Sequence, residues 1–327
     1  MTAPVAALRP TDQFLHEAFL YRDESDFLSG VLAFVREGLE RDETVIVVEP
    51  PVQIDLLRDA LGDDAGAVSF HDMVEIGRNP ARIIPLWSEA VAEHAAGGRG
   101  LRGVGEPTFV GRRSQELVEC LLHETLLNST FQPGPPWQLL CPYDERLLPA
   151  TVRDGALLTH PLWSTPTDRG SSDTFAAPVH TADGGIDAAD PGGFGSRLPL
   201  PPPTDAVIRG EFGPDDVAAV RHTVGQYARF CGLPDRQVED LQVAAEELAT
   251  NSIRHGGGRG SIAMWREPDA AVVEFTDRGQ MTDPLGGRRP PGPGAPATGL
   301  YLVNRLCDLV QVRSSAAGTT VRLNTWL

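Results

Sequence analysis

Two different rhythms of apolar and polar positions divide this chain. From residue 14 to 164, short apolar runs alternate with helix-length segments whose apolar positions recur every three to four residues. The runs predict strands over 18–21, 44–48, 67–70, 101–105 and 138–141, and the longer segments predict helices over 23–39, 52–61, 81–96 and 114–128. Five strands with four helices between them are the pattern of an α/β domain with a mainly parallel, doubly wound sheet. Over 165–204 the periodicity fades into Gly, Ala, Asp, Ser and Pro, ending in Leu198-Pro-Leu-Pro-Pro-Pro203. Such a stretch buries too little surface to offset its ordering entropy and reads as a flexible tether.

From residue 205 to 327 the order changes. A strand near 206–209 precedes an amphipathic helix over 212–232, carrying Val217, Val220, Val224, Tyr227 and Phe230, and a second helix over 234–254. Alternating segments at 261–265, 271–276 and 319–327 predict antiparallel strands. Helices against one face of such a sheet make a two-layer α+β sandwich.

Composition narrows the function classes. The net charge of −17 sits in the first part: residues 1–204 hold 15 Arg against 30 acidic side chains, a net of −15, whereas residues 205–327 hold 13 Arg against 15. Every basic residue is Arg, and no Arg-rich run appears, which argues against direct nucleic-acid binding through a basic field. The four cysteines, Cys120, Cys141, Cys231 and Cys307, form no CxxC pair and read as buried thiols in a reducing compartment. No signal segment and no 18-residue apolar run is present, so the expectation is a cytoplasmic protein without a membrane span.

In an open α/β sheet, ligands bind beyond the carboxyl ends of the strands. That places Tyr21, Arg22, Glu106 and Tyr143 as candidate sensory-site residues, although a strand-end acid such as Glu106 also serves as a helix cap or a solvated charge. Tyr21-Arg-Asp-Glu-Ser25 is neither Gly-rich nor Lys-bearing, so a P-loop is absent. Glu119 and His123 stand one turn apart on a predicted helix, without the second His of a zinc-protease helix. In the second domain, Glu247, Asn251 and His255 recur at four-residue spacing and share one helix face, next to Gly256-Gly-Gly258. Taken alone this is also the pattern of an ordinary amphipathic surface helix. Asp277-Arg-Gly279 follows a strand, and an acid beside a Gly suits recognition of an adenine amino group. A breaker-rich loop over 286–299 then feeds a short helix, whose N-terminus favours phosphate.

Two resemblances add to this reading. The run His16–Leu28, with Phe34-Val-Arg-Glu-Gly-Leu39, Gly77-Arg-Asn-Pro-Ala-Arg82, Gly105-Glu-Pro107 and Leu140-Cys-Pro-Tyr143, resembles the MEDS sensory domain. That family implies a RecA/KaiC-like fold without its P-loop and a signal-receiving role toward a small molecule or a protein. The order of Asn-bearing helix, Asp-x-Gly, Gly-containing lid and Gly318-Thr-Thr320 resembles the GHKL (Bergerat) ATPases, in detail the RsbW-like anti-sigma factor serine kinases. The resemblance implies ATP and Mg²⁺ as cofactors, Glu247 as general base and Asn251 as the Mg²⁺ holder. It further implies Asp277 reading adenine, Gly279 beneath the base, Thr320 supporting Asp277, and Gly299 with Leu300 at the lid hinge. His255 joins this nucleotide-binding set through the same motif. Met281 stands where a second Gly often follows, and the lid ends Ala297-Thr298-Gly299. The implied partners are a sigma factor, an anti-anti-sigma (STAS) protein, or both, and the resemblance favours a homodimer through the second domain. Two alternatives stand beside this: a sensor histidine kinase, for which His222 lies on a short single helix, and a nucleotide-dependent binding module without catalysis.

Overall fold

The computed structural model describes residues 13–132, 134–177, 179–180, 186–187, 200–203, 207–290, 292 and 299–327. The chain forms two compact units, Met1–His180 with Asp187–Phe194, and Thr181–Ile186 with Gly195–Leu327.

The first unit runs β1 (Leu15–Tyr21), α1 (Glu24–Glu40), β2 (Thr44–Glu49), α2 (Pro51–Leu61), β3 (Val68–Asp72), α3 (Met73–Ile76), α4 (Ile83–Gly97), β4 (Leu101–Gly105), α5 (Ser114–Phe131), β5 (Gln138–Asp144), α6 (Ala150–Thr159), β6 (Leu162–Ser164) and β7 (Arg169–Ser171). The sheet order is β3-β2-β4-β5-β1-β6-β7, with every neighbouring pair parallel except the last. Helix α1 starts where the Asp23 carboxylate accepts the Asp26 N–H at 3.0 Å. Its Phe27, Val31 and Val35 pack with Leu57 and Leu61 of α2 against Phe19, Val45, Val47 and Val104 of the sheet. Gly103 of β4 lets Trp87 of α4 and Leu139 lie flat against the strand, because a Cβ at 103 would stand 2.8 Å from the Trp87 ring.

Three features of this unit differ from the expectation. Helix α6 and strands β6 and β7 extend the predicted five strands to seven. Residues 169–171, which the sequence assigns to the tether, are thus paired into this sheet. Thr165 accepts the backbone N–H groups of Thr167 and Asp168 on its Oγ1, closing a turn that returns the chain antiparallel to β6, and Arg169 pairs with Glu17 of β1. Most of the stretch beyond residue 177 lies outside the described residues, apart from two two-residue strands, β8 (Val179–His180) and β9 (Ile186–Asp187).

At the carboxyl edge of this sheet, Glu49 of β2 and Glu106, just beyond β4, are both fully buried, and the Tyr21 hydroxyl donates to Glu106 Oε1 at 3.1 Å. Burial, reinforced by the other carboxylate, pushes Glu49 well above the usual range. Burial raises Glu106 to about 7. Two unpaired carboxylates cannot both be ionised in so dry a place, so protons are retained on the pair.

The second unit runs β10 (Ile208–Phe212), α7 (Val217–Cys231), α8 (Asp235–His255), β11 (Gly260–Glu267), β12 (Ala270–Asp277), α9 (Gly299–Leu306), β13 (Leu309–Ser315) and β14 (Gly318–Trp326). Its antiparallel sheet has the order β10-β11-β12-β14-β13. Val220, Val224 and Ala228 of α7, Leu241, Ala245 and Leu248 of α8 and Val303 of α9 form one core with Ile262, Met264, Val273, Phe275, Val321 and Leu323 of the sheet. The first helix does not begin at Phe212 as the periodicity predicts. Phe212 closes β10, the Asp216 carboxylate takes the Gly213 N–H at 2.9 Å, and Pro214 opens a single 3-10 turn ahead of α7. Strand β13, beyond the predicted set, pairs with β14 at the sheet edge.

Two outcomes follow. Leu323→Ala empties a fully buried position on β14 and should cost about 2–5 kcal/mol in denaturant unfolding of the second unit. Glu106 holds its proton in the folded state up to about pH 7, while its unfolded reference is 4.5. Its contribution to stability is therefore complete below pH 4.5 and is lost as pH rises toward 7. Urea midpoints measured at both ends of that window should fall less with rising pH in Glu106→Gln than in the wild type; equal slopes would contradict the retained proton.

Candidate functional site

The last two turns of α8 and the end of β12 meet over a cavity of about 450 Å³ in the second unit. Its walls include Leu248, Phe275, Met281 and Val321 on the apolar side and Asn251, His255, Asp277 and Thr319 on the polar side. A volume of that order, mostly apolar with a few convergent polar groups, has the character of a small-molecule site.

Asp277 is fixed at both carboxylate oxygens. Ser252 of α8 donates its hydroxyl to Oδ2 at 2.7 Å, and the Gly279 N–H reaches Oδ1 at 2.8 Å. The close approach depends on three glycines. A Cβ at Gly256 would fall on the Asp277 side chain and the Ser252 carbonyl, and one at Gly279 would fall on the His255 carbonyl. Gly318 has φ +136°, and a Cβ there would strike the Asp277 carbonyl. Arg278 N–H donates to the Gly256 carbonyl at 3.2 Å, so backbone bonds as well as side chains join the two elements.

At the other end, the N-terminus of α9 lies against α8. A Cβ on Gly299 would stand 2.6 Å from Glu247 Oε2 and 3.0 Å from Asn251 Nδ2, so the predicted spacing of Glu247 and Asn251 brings both to that helix end. Leu300 lines the cavity beside Gly299. His255 lines it from the exposed last turn of α8. Asn304 of α9 anchors the preceding loop by donating to the Gly287 carbonyl at 3.0 Å. Lid residues 291 and 293–298, including Ala297 and Thr298, lie outside the described residues.

The structure places the Thr320 hydroxyl 3.4 Å from that of Thr276. Residues alternate across a strand, and it is Thr319, paired with Asp277 in the ladder, that lines the cavity and donates to the Gly279 carbonyl at 2.8 Å. Ser314 joins Thr319 at 2.7 Å and accepts the Met281 N–H at 2.8 Å. Met281, the departure from the Gly pattern, thus forms part of the apolar wall, with its backbone tied to β13. Ser252 was missed by sequence reasoning, although its place one residue after Asn251 was a usable signal.

The sensory-site candidates in the first unit do not form one site. Tyr21 and Glu106 share a hydrogen bond, while Arg22 lies at the surface paired with Glu145 at 3.0 Å. Tyr143 donates instead to Glu124 of α5 at 3.3 Å. No helix among the described residues is long and apolar enough to cross a membrane.

Comparison with known proteins agrees with this division. Residues 15–161 match the family model of the MEDS domain, the methanogen/methylotroph DcmR sensory domain, and residues 211–325 match the histidine kinase-like ATPase domain. The serine-protein kinase RsbW of Bacillus velezensis is 30% identical over 129 residues, covering 35% of this chain and 80% of that protein. RsbW of Bacillus subtilis is 29% identical over 129 residues with the same coverage. A crystal structure of the RsbU and RsbW domains of a Mycobacterium tuberculosis protein aligns at 17% identity and a TM-score of 0.29, over 37% of this chain and 32% of that one, a likeness too slight to carry an argument. The ATPase-domain match implies ATP binding by the second unit. Through that unit the chain belongs to the RsbW serine-protein kinase family, and it carries a MEDS sensory domain ahead of it.

Proposed function

We propose that the protein is a partner-switching signalling regulator, in which the MEDS unit, read as a doubly wound RecA/KaiC-like domain over residues 14–164, governs an ATP-dependent serine/threonine kinase over residues 205–327. The observation that carries this reading is the oriented Asp277 carboxylate lining a largely apolar cavity that Asn251 and Gly299 also line, with Glu247 next to Gly299. The residues fit the cofactor. Asp277, oriented by Ser252 and Gly279, retains lone pairs for an exocyclic amine, and Leu248, Phe275, Met281 and Val321 offer faces to a base.

Asn251 would hold Mg²⁺, and the N-terminus of α9 at Gly299 and Leu300 would face phosphate. Bound Mg²⁺–ATP supplies the transferable phosphoryl group and the neutralising charge. The chain's own task is positioning. Glu247, beside Asn251, would accept the proton of a partner's Ser or Thr hydroxyl, and His255 lines the cavity two turns further along α8. The partners consistent with the RsbW relatives are an anti-anti-sigma (STAS) protein as phosphate acceptor and a sigma factor held in exchange for it.

Glu247→Ala should reduce phosphate transfer to a Ser- or Thr-bearing partner recovered from the native cell by at least about 100-fold, while ATP binding persists. Unchanged transfer would remove Glu247 from the role of base. Wild-type protein that binds ATP and such a partner but transfers nothing would replace the kinase with a nucleotide-dependent binding module.

A further inference from the structure

The first unit contains a second polar cluster, on none of the residues expected to sense a ligand except Tyr143. His16 of β1, Glu124 of α5, Cys141 of β5 and His160, which caps α6, are all buried, and one ligand-capable atom from each lies within 4.8 Å of the others. Four of the separations are 3.1 Å (His16 Nε2 to Glu124 Oε2), 3.6 Å (His160 Nε2 to Glu124 Oε2), 3.4 Å (Cys141 Sγ to His16 Nε2) and 3.7 Å (Cys141 Sγ to Glu124 Oε2). A tetrahedron with metal–ligand bonds of about 2.0–2.3 Å has edges of roughly 3.3–3.7 Å. Those four separations are close to these dimensions.

The outer partners set the imidazoles for ligation. Asn128 donates its amide N–H groups to the carbonyls of Glu124 and Thr159, at 3.2 and 2.8 Å, which turns its Oδ1 toward His16 Nδ1 at 3.1 Å. His16 must therefore carry its proton on Nδ1. His160 Nδ1 lies 2.9 Å from the Ala156 carbonyl, which can only accept, so His160 is protonated on Nδ1 as well. Both Nε2 lone pairs are left facing Glu124 and Cys141, and His160 Nε2 makes no hydrogen bond. An Nδ1–H anchored to a carbonyl is the usual support of a metal-binding imidazole. Tyr143 holds the other Glu124 oxygen at 3.3 Å. Glu124 is the member of α5 that joins this cluster, and Glu119 and His123 of the same helix stand outside it.

We propose that His16, Glu124, Cys141 and His160 form a four-coordinate site for a late first-row divalent cation of the zinc class. Two neutral imidazoles, one thiolate and one carboxylate select such an ion over Mg²⁺ or Ca²⁺. The charges close: the Glu124 carboxyl and the Cys141 thiol each release a proton to solvent, and the resulting two anions neutralise the dication in a buried place. Burial raises Glu124 to about 7 and the Cys141 thiol well above its usual range. All four positions are filled by protein, so the site holds an ion and leaves no place on it for substrate. The proposal stands apart from the activity of the second unit.

The test uses the full chain, stripped with a chelator and titrated with Zn²⁺ and with Co²⁺. One equivalent of either should bind, Zn²⁺ should raise the thermal midpoint, and the Co²⁺ form should show the intense d–d absorption of four-coordination with a thiolate charge-transfer band. Cys141→Ser should lose that band, whereas Cys120→Ser, at a buried thiol outside the cluster, should keep it. Asn128→Ala, which leaves all four ligands in place, should weaken Zn²⁺ binding by roughly 10–100-fold. A stripped wild-type chain that is folded by circular dichroism yet binds neither ion overturns the proposal, and so does a Co²⁺ spectrum unchanged by Cys141→Ser. The wild-type titration decides the matter even if a variant fails to fold.

Discussion

The end of α8 and the end of β12 can touch because residue 256 has no side chain. Where a Cβ would stand at Gly256, the Asp277 side chain passes, with Ser252 on one carboxylate oxygen and the Gly279 N–H on the other. This single approach determines what the cavity presents. It turns an acid at a strand end into an oriented acceptor, brings the His255 carbonyl onto Gly279, and leaves Asn251 and Glu247 one and two turns back along α8, beside the start of α9. A carboxylate with both oxygens engaged also cannot swing out to solvent. The site is thus built by backbone contact first and by side-chain chemistry second.

Much of the second unit was legible because its signals are local. The four-residue spacing of Glu247, Asn251 and His255 is a property of one helix, and Asp277-Arg-Gly279 with Gly318-Thr-Thr320 mark strand ends. What escaped depends on facing and pairing. Thr319 and Thr320 are equivalent in composition, and only the register of β14 against β12 shows that 319 stands on the cavity side. Phe212 fits a helical stripe as well as a strand end, and the Asp216 side chain that closes the turn at Gly213 decides between them.

In the first unit the alternation of apolar runs located five strands, but β6 and β7 have 3 residues each, too few to display a period. The buried polar groups were less legible still. His16, Glu124, Cys141 and His160 come from four separate elements, so no spacing announces them. Glu49 and Glu106 follow adjacent strands of the parallel sheet, and their meeting is a consequence of the order β2-β4, which the sequence pattern leaves open. The two clusters together give this unit three buried carboxyl groups whose ionisation is suppressed, Glu49, Glu106 and Glu124. Such groups oppose stability at neutral pH unless a proton, a cation or a ligand compensates them.

In the proposed function the Asp277 carboxylate is the group that reads the base. Calorimetric titration of the full chain with ATP and with GTP, for the wild type and for Asp277→Ala, measures this directly. The expected result is binding of ATP in preference to GTP by the wild type, and loss of ATP binding in Asp277→Ala with the unfolding transition of the second unit still present. Asp277→Ala protein that binds ATP as tightly as the wild type would contradict it.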